Sequence, residues 1–224
     1  MIIDHTDTWY RRRWQYSGVN RFNGAYYYSM EIVSNIIPLI RTDRHWITVN
    51  IPVQNHEPQF SQCACDHSIV FIHNNLHPEN YQWLSKYRDL ILVCGIEETM
   101  PKVEHLGHPI HLPLSVDVKE VRSHKRKKTK GTAFAGRFSK SQNIPEHVDR
   151  LSGIPRSVLL DKMAEYRKVY AVGRTAIEAK VLGCEILPYD ERFPDVGIWK
   201  VLDNKDASVI LQKKLDEIDG REDI

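Results

Sequence analysis

Apolar residues in this chain fall into short unbroken runs, separated by stretches where they recur every three or four positions. In the first half the runs are "MIID", "HWITVNIPV", "SIVFIH", "LILVCG" and "HPIHLPL". They are short and rich in β-branched residues, which predicts parallel strands covered on both faces. Between them lie helical stripes. "AYYYSMEIVSNIIPLI" places Tyr28, Ile32, Val33, Ile36, Ile37 and Ile40 at helical spacing, with Pro38 marking an end or a bend. "HPENYQWLSKYRD" predicts a helix with Pro78 near its start, and "EETMPKVEHLG" a weaker one.

The second half continues the alternation. "TAFAG", "VYAV" and "CEILPY" predict strands, "SVLLDKMAEYRK" and "RTAIEAKVLG" predict helices, and "DASVILQKKLDEID" predicts a closing helix. Residues 138–156 carry Pro145, Gly153 and Pro155 and follow neither period. "KEVRSHKRKKTKG" is strongly basic and shows no apolar face. It is read as an exposed crossover, residues 116–131, between lobes spanning 1–115 and 132–224. Strands alternating with helices imply an α/β fold with parallel sheets.

Composition changes this picture little. The 224 residues are 42% hydrophobic and 27% charged, ordinary for a soluble globular chain. A net charge of +2 sets no global field that would dictate a nucleic-acid partner. The opening residues turn polar after Ile3, unlike a signal peptide, and no apolar run has the length a membrane span needs. Cys94 and Cys184 sit in apolar runs, while Cys63 and Cys65 are too close in sequence for a structural disulfide. The expected compartment is therefore reducing and cytoplasmic.

The segment "YAVGRTAIEAKVLGCEILPY", residues 170–189, concentrates the candidate chemistry. A strand ends at Gly173 and a helix begins near Arg174 or Thr175. Parallel α/β sheets bind ligands outside the carboxyl ends of their strands. The free N–H groups and positive dipole end of a helix there attract anions. Gly173 permits close approach, Thr175 can cap the helix or bond a phosphate, and Glu178 lies one turn deeper.

"GRTAIEAKVLGCEILPY" resembles the carboxyl-terminal donor-binding segment of GT-B glycosyltransferases, with the pattern Glu-Ala-x-x-x-Gly-x-x-(Val/Ile)-(Leu/Ile). "HLPLSVDVKEV" resembles the proline-containing crossover into the second lobe of that family. "TAFAGRFSKS" resembles the first strand of that lobe, ending in Gly-Arg. The resemblance covers about residues 106 to 190 in pieces. It implies two small Rossmann-like lobes with parallel sheets, the second reduced because the stretch between "GRFS" and "SVLLDKM" is short. It further implies a nucleotide-sugar donor held by Gly136, Arg137, Lys140, Gly173, Arg174, Thr175 and Glu178, with Glu178 on the ribose. Many retaining members carry a second Glu eight positions before that residue, where this chain has Tyr170. Neither a metal nor another cofactor is implied, and the acceptor is left open, nucleic acid included.

Other clusters follow the first strand and the third. Asp4, His5 and Asp7 stand after "MII", and His73 ends "SIVFIH". His5, Asp7 and His73 are the candidate catalytic groups, either His serving as general base if the reaction inverts. "TWYRRRWQYSGVNRFNG" interleaves aromatic rings with arginines and suits an acceptor lid. The basic stretch "RSHKRKKTK" supports another class of function, a non-catalytic module derived from such an enzyme that binds nucleic acid or nucleotides. "CACDH" and "HLGHPIH" lack a matched zinc spacing, so no metal is expected there.

Overall fold

The computed structural model describes residues 31–42, 47–49, 66–72, 78–136 and 143–220. The predicted strand "MIID", the aromatic-arginine loop, Cys63, Cys65, His5, Asp7, His73, Arg137 and Lys140 lie outside them. The chain divides into two compact units. Among the described residues, one holds the chain up to Pro113 together with Lys205 onward, and the other spans Leu114–Asn204. The closing helix therefore groups with the first unit, whereas the expected division assigned it to the second.

The first unit is built on four parallel strands, β1 (Ile47–Val49), β2 (Ile69–Ile72), β3 (Ile91–Cys94) and β4 (His108–His111), arranged in sequence order. Every residue of β2 and β3 is buried, as expected of strands covered on both faces. Register runs Ile69 to Ile91 and onward without a slip. One face packs Val70, Ile72, Leu92 and Cys94 against Leu84, Val103 and Leu106. Those last three come from a 3-10 helix, Pro78–Lys86, a short α-helix α1 (Met100–Val103) and a 3-10 turn, Glu104–Leu106. The stripe around Pro38 forms a π-helix, Ile32–Ile36, followed by a 3-10 turn, Ile37–Leu39. Proline at 38 offers no N–H and its ring crowds the carbonyl four residues back. The turn ahead of it widens so that Ile37 N–H bonds to Ile32.

The second unit opens where an expected crossover stands. Helix α2 (Val118–Ser123) forms inside the basic stretch, with Asp117 accepting from Glu120 N–H at 2.8 Å and Val121 buried beneath it. Four parallel strands follow: β5 (Lys130–Phe134), β6 (Asp149–Arg150), β7 (Tyr166–Tyr170) and β8 (Glu185–Leu187). Helix α3 (Arg156–Met163) joins β6 to β7, and α4 (Arg174–Val181) joins β7 to β8. The sheet order is β6-β5-β7-β8. Where the chain enters this unit, Val116 N–H bonds to Leu202, and where it leaves, Asn204 N–H bonds back to Val116. Helix α5 (Asn204–Ile218) then returns to the first unit, where Gln212 bonds the backbone of Arg41 on both sides. No helix among the described residues is long and apolar enough to cross a membrane.

Candidate functional site

Strand order in the second sheet reverses between β5 and β7. The connection from β5 leads to β6 on one side, and the next strand, β7, returns to the other side of β5. In an open parallel sheet such a reversal sends the two flanking loops apart and leaves a crevice at the carboxyl ends of the strands. Phe134 pairs with Tyr170, and Ala135 N–H bonds to Tyr170 at 3.0 Å. Gly136 and Gly173 therefore leave adjacent strands within two or three residues of their last pairing. The structure thus brings together two of the segments that the sequence singles out, 134–136 and 170–175.

Gly173 is the residue that turns strand into helix. Its φ of 62° with ψ of −140° is a conformation that only glycine adopts without strain. Ala176 and Ile177 N–H both bond to its carbonyl, so the N–H groups of Arg174 and Thr175 precede the first helical bond. No side chain caps this end, and Thr175, half-buried, is the second helical residue rather than the cap. The helix starts at Arg174, the first of the two starts read from the sequence.

Gly136 has a packing reason for being glycine. A Cβ there would stand 2.6 Å from the Phe134 ring and 2.6 Å from the Tyr189 hydroxyl. Those two rings meet edge to face at 5.0 Å. Ser152 Oγ donates to the Gly136 carbonyl at 2.6 Å, fixing the turn from the β6 side.

Arg174 and Glu178 face inward. Arg174 is 5% exposed and Glu178 3%. Glu178 Oε1 accepts from Arg156 Nε at 2.8 Å and meets Arg174 Nη2 at 3.2 Å. Arg156 also donates from Nη1 and Nη2 to the two oxygens of Glu120, at 2.9 and 2.8 Å, in a bidentate pair. Burial opposes the charge on Arg156, but the carboxylates of Glu178 and Glu120 outweigh it and raise its pKa above the ordinary arginine value. The cluster continues through His124, which contacts Glu120 at 3.5 Å and Asp161 at 3.0 Å. That hydrogen bond from His124 holds the Asp161 carboxyl below its ordinary value. Together these pairs tie α2, α3 and α4 to one another.

Arg156 and Glu120 are absent from the sequence-level candidates. Arg156 pairs with Glu178, 22 positions away, and with Glu120, 36 positions away, and no local spacing carries either contact. Proximity to the turn is legible for Arg156, because it is the first residue of α3 and α3 begins at the same sheet edge as α4.

The histidine clusters resolve into pairs. His67 Nδ1 and His108 Nε2 share Asp89, at 2.6 and 3.4 Å, and His105 reaches Gln82 at 3.2 Å. His67, Asp89 and His108 stand at the amino ends of β2, β3 and β4, the edge away from where such sheets bind ligands. Cys94 is buried and its thiol is pushed up to about 12 by burial, so it stays a packed apolar group. Burial likewise raises the Cys184 thiol, with Lys128 Nζ at 3.1 Å opposing it.

No known protein family, curated protein or solved structure matches this chain.

Proposed function

We propose that the second unit binds a nucleoside-diphosphate sugar at the carboxyl ends of β5 and β7, and that the chain is a glycosyltransferase of the GT-B kind. One observation carries the proposal. The strand order reverses between β5 and β7, and the two glycine turns that the sequence resemblance assigns to donor binding follow those two strands. Two separate parallel α/β sheets support the same reading.

In this reading the diphosphate lies at the start of α4. The N–H groups of Arg174 and Thr175 and the Thr175 hydroxyl meet phosphate oxygens at the positive end of the helix dipole, while the Arg174 guanidinium is engaged by Glu178. Arg137 and Lys140 are the further cations that the resemblance assigns. Transfer breaks the bond between the anomeric carbon and the diphosphate oxygen and forms one to the acceptor's nucleophilic atom. The acceptor's proton goes to a base, for which His5, Asp7 and His73 are the candidates. Charge growing on the departing diphosphate is stabilised by donors already in place. Direct contact of Glu178 with a ribose is left out of the proposal, because its Oε1 already serves two arginines and the residue is 3% exposed.

A thermal-shift panel of uridine, guanosine, adenosine, cytidine and thymidine diphosphates and their glucose esters tests this. A ligand present at ~100 times its dissociation constant adds about 2.7 kcal/mol. For a chain of this size that raises the midpoint by roughly 5–10 °C. A shift with slow release of free diphosphate from the sugar ester supports the transferase. A shift without turnover for any acceptor supports the non-catalytic nucleotide-binding module instead. No shift with any nucleotide overturns both.

A further inference from the structure

The residues from Lys119 to Lys130 carry seven cations, Lys119, Arg122, Lys125, Arg126, Lys127, Lys128 and Lys130, against one acid, Glu120. That acid is already consumed, because both of its oxygens are held by Arg156. Neighbouring elements neutralise part of the excess. Arg126 pairs with Asp161 at 3.1 Å and Lys130 with Glu165 at 2.7 Å. Lys128 turns inward to Cys184 at 3.1 Å. Among the described residues, Lys119, Arg122, Lys125 and Lys127 form no ion pair and all four are exposed, the last three lying toward the β5 end of the stretch.

The place of this stretch in the sheet is well defined. Thr129 and Lys130 N–H both bond to Glu165, the residue before β7. Lys128 reaches Cys184, the residue before β8, and Lys125 lies beside Gly183. The cations therefore line the amino ends of β5, β7 and β8. Gly136 and Gly173 follow the carboxyl ends of the same sheet. From α2 to β5 the stretch reads "RSHKRKKTK", with no apolar or aromatic side chain. A surface that entered a lipid bilayer would need such residues. Clustered cations without such residues match a phosphodiester backbone instead.

We propose that this amino-terminal edge of the second sheet docks nucleic acid through Arg122, Lys125 and Lys127, by backbone charge and without base readout. The proposal is independent of the transferase reading, since it uses the opposite sheet edge and none of the same residues.

Fluorescence anisotropy with a short labelled DNA duplex, across salt concentrations, tests it. Three phosphate contacts give a slope of about −2.7 in log affinity against log salt, hence roughly a 40-fold loss between ~50 and ~200 mM. The variant R122Q/K125Q/K127Q should flatten that slope to near zero. K200Q/K213Q/K214Q, which also lowers the net charge from +2 by three to −1, should keep it. Matching thermal melts of both variants establish that each is folded. Equal losses in the two variants would show a net-charge effect and overturn the proposal. So would an absence of duplex binding, or binding to phosphatidylserine vesicles that exceeds binding to the duplex.

Discussion

Glu178 shows how much a single carboxylate can be asked to hold. Two guanidinium groups meet its Oε1, and Arg174 and Glu178 are nearly excluded from water. Desolvated charges of this kind are tolerated only while each has its counterion. Removing the carboxylate takes from both arginines the counterion they share. Glu178→Ala should therefore lower stability by about 3–5 kcal/mol in urea unfolding. Glu217, paired with Lys214 at the surface at 2.8 Å, provides the contrast, and Glu217→Ala should leave the midpoint in place. Equal effects of the two substitutions would mean that the buried cluster is not the fastening described. The sequence shows Glu178 one turn from Gly173, and that spacing is correct. Its partner Arg156 is supplied by another helix, so the residue's surroundings are a tertiary fact with no local signal.

Elements were readable where burial is two-sided and obscure where it is partial. "IVFI" and "ILVC" became β2 and β3 because strands covered on both faces leave unbroken apolar runs. β6 contains only Asp149 and Arg150, both exposed, and has no pattern to read. Helix α2 hides behind its basic residues because Val121 is its one buried residue. Its signal is the cap, Asp117 three positions before Glu120, a spacing characteristic of helix starts. The strand-to-helix turn at β7 rests on a different device. Gly173 holds a backbone conformation that a Cβ makes strained. Gly173→Ala should cost about 1–3 kcal/mol in the same urea measurement and should weaken nucleotide binding with it. A stable, binding-competent Gly173→Ala protein would show that this turn does not shape the site.

At the scale of the whole molecule, the α/β class was legible, and so was the presence of two separate sheets. Strand order was not, since neighbouring strands are chosen by the paths of their connections rather than by composition. The order β6-β5-β7-β8 is also what turns two glycine-containing turns into one candidate site. The two edges of this sheet make different claims, a nucleotide at the carboxyl ends and nucleic acid at the amino ends. Hydrogen exchange followed peptide by peptide, with uridine diphosphate and then adenosine diphosphate at saturation, separates them most directly. The account predicts slowed exchange at Ala135–Gly136 and Gly173–Thr175, with residues 122–130 unchanged. Protection confined to 122–130, or no protection at either glycine turn with either nucleotide, would contradict it.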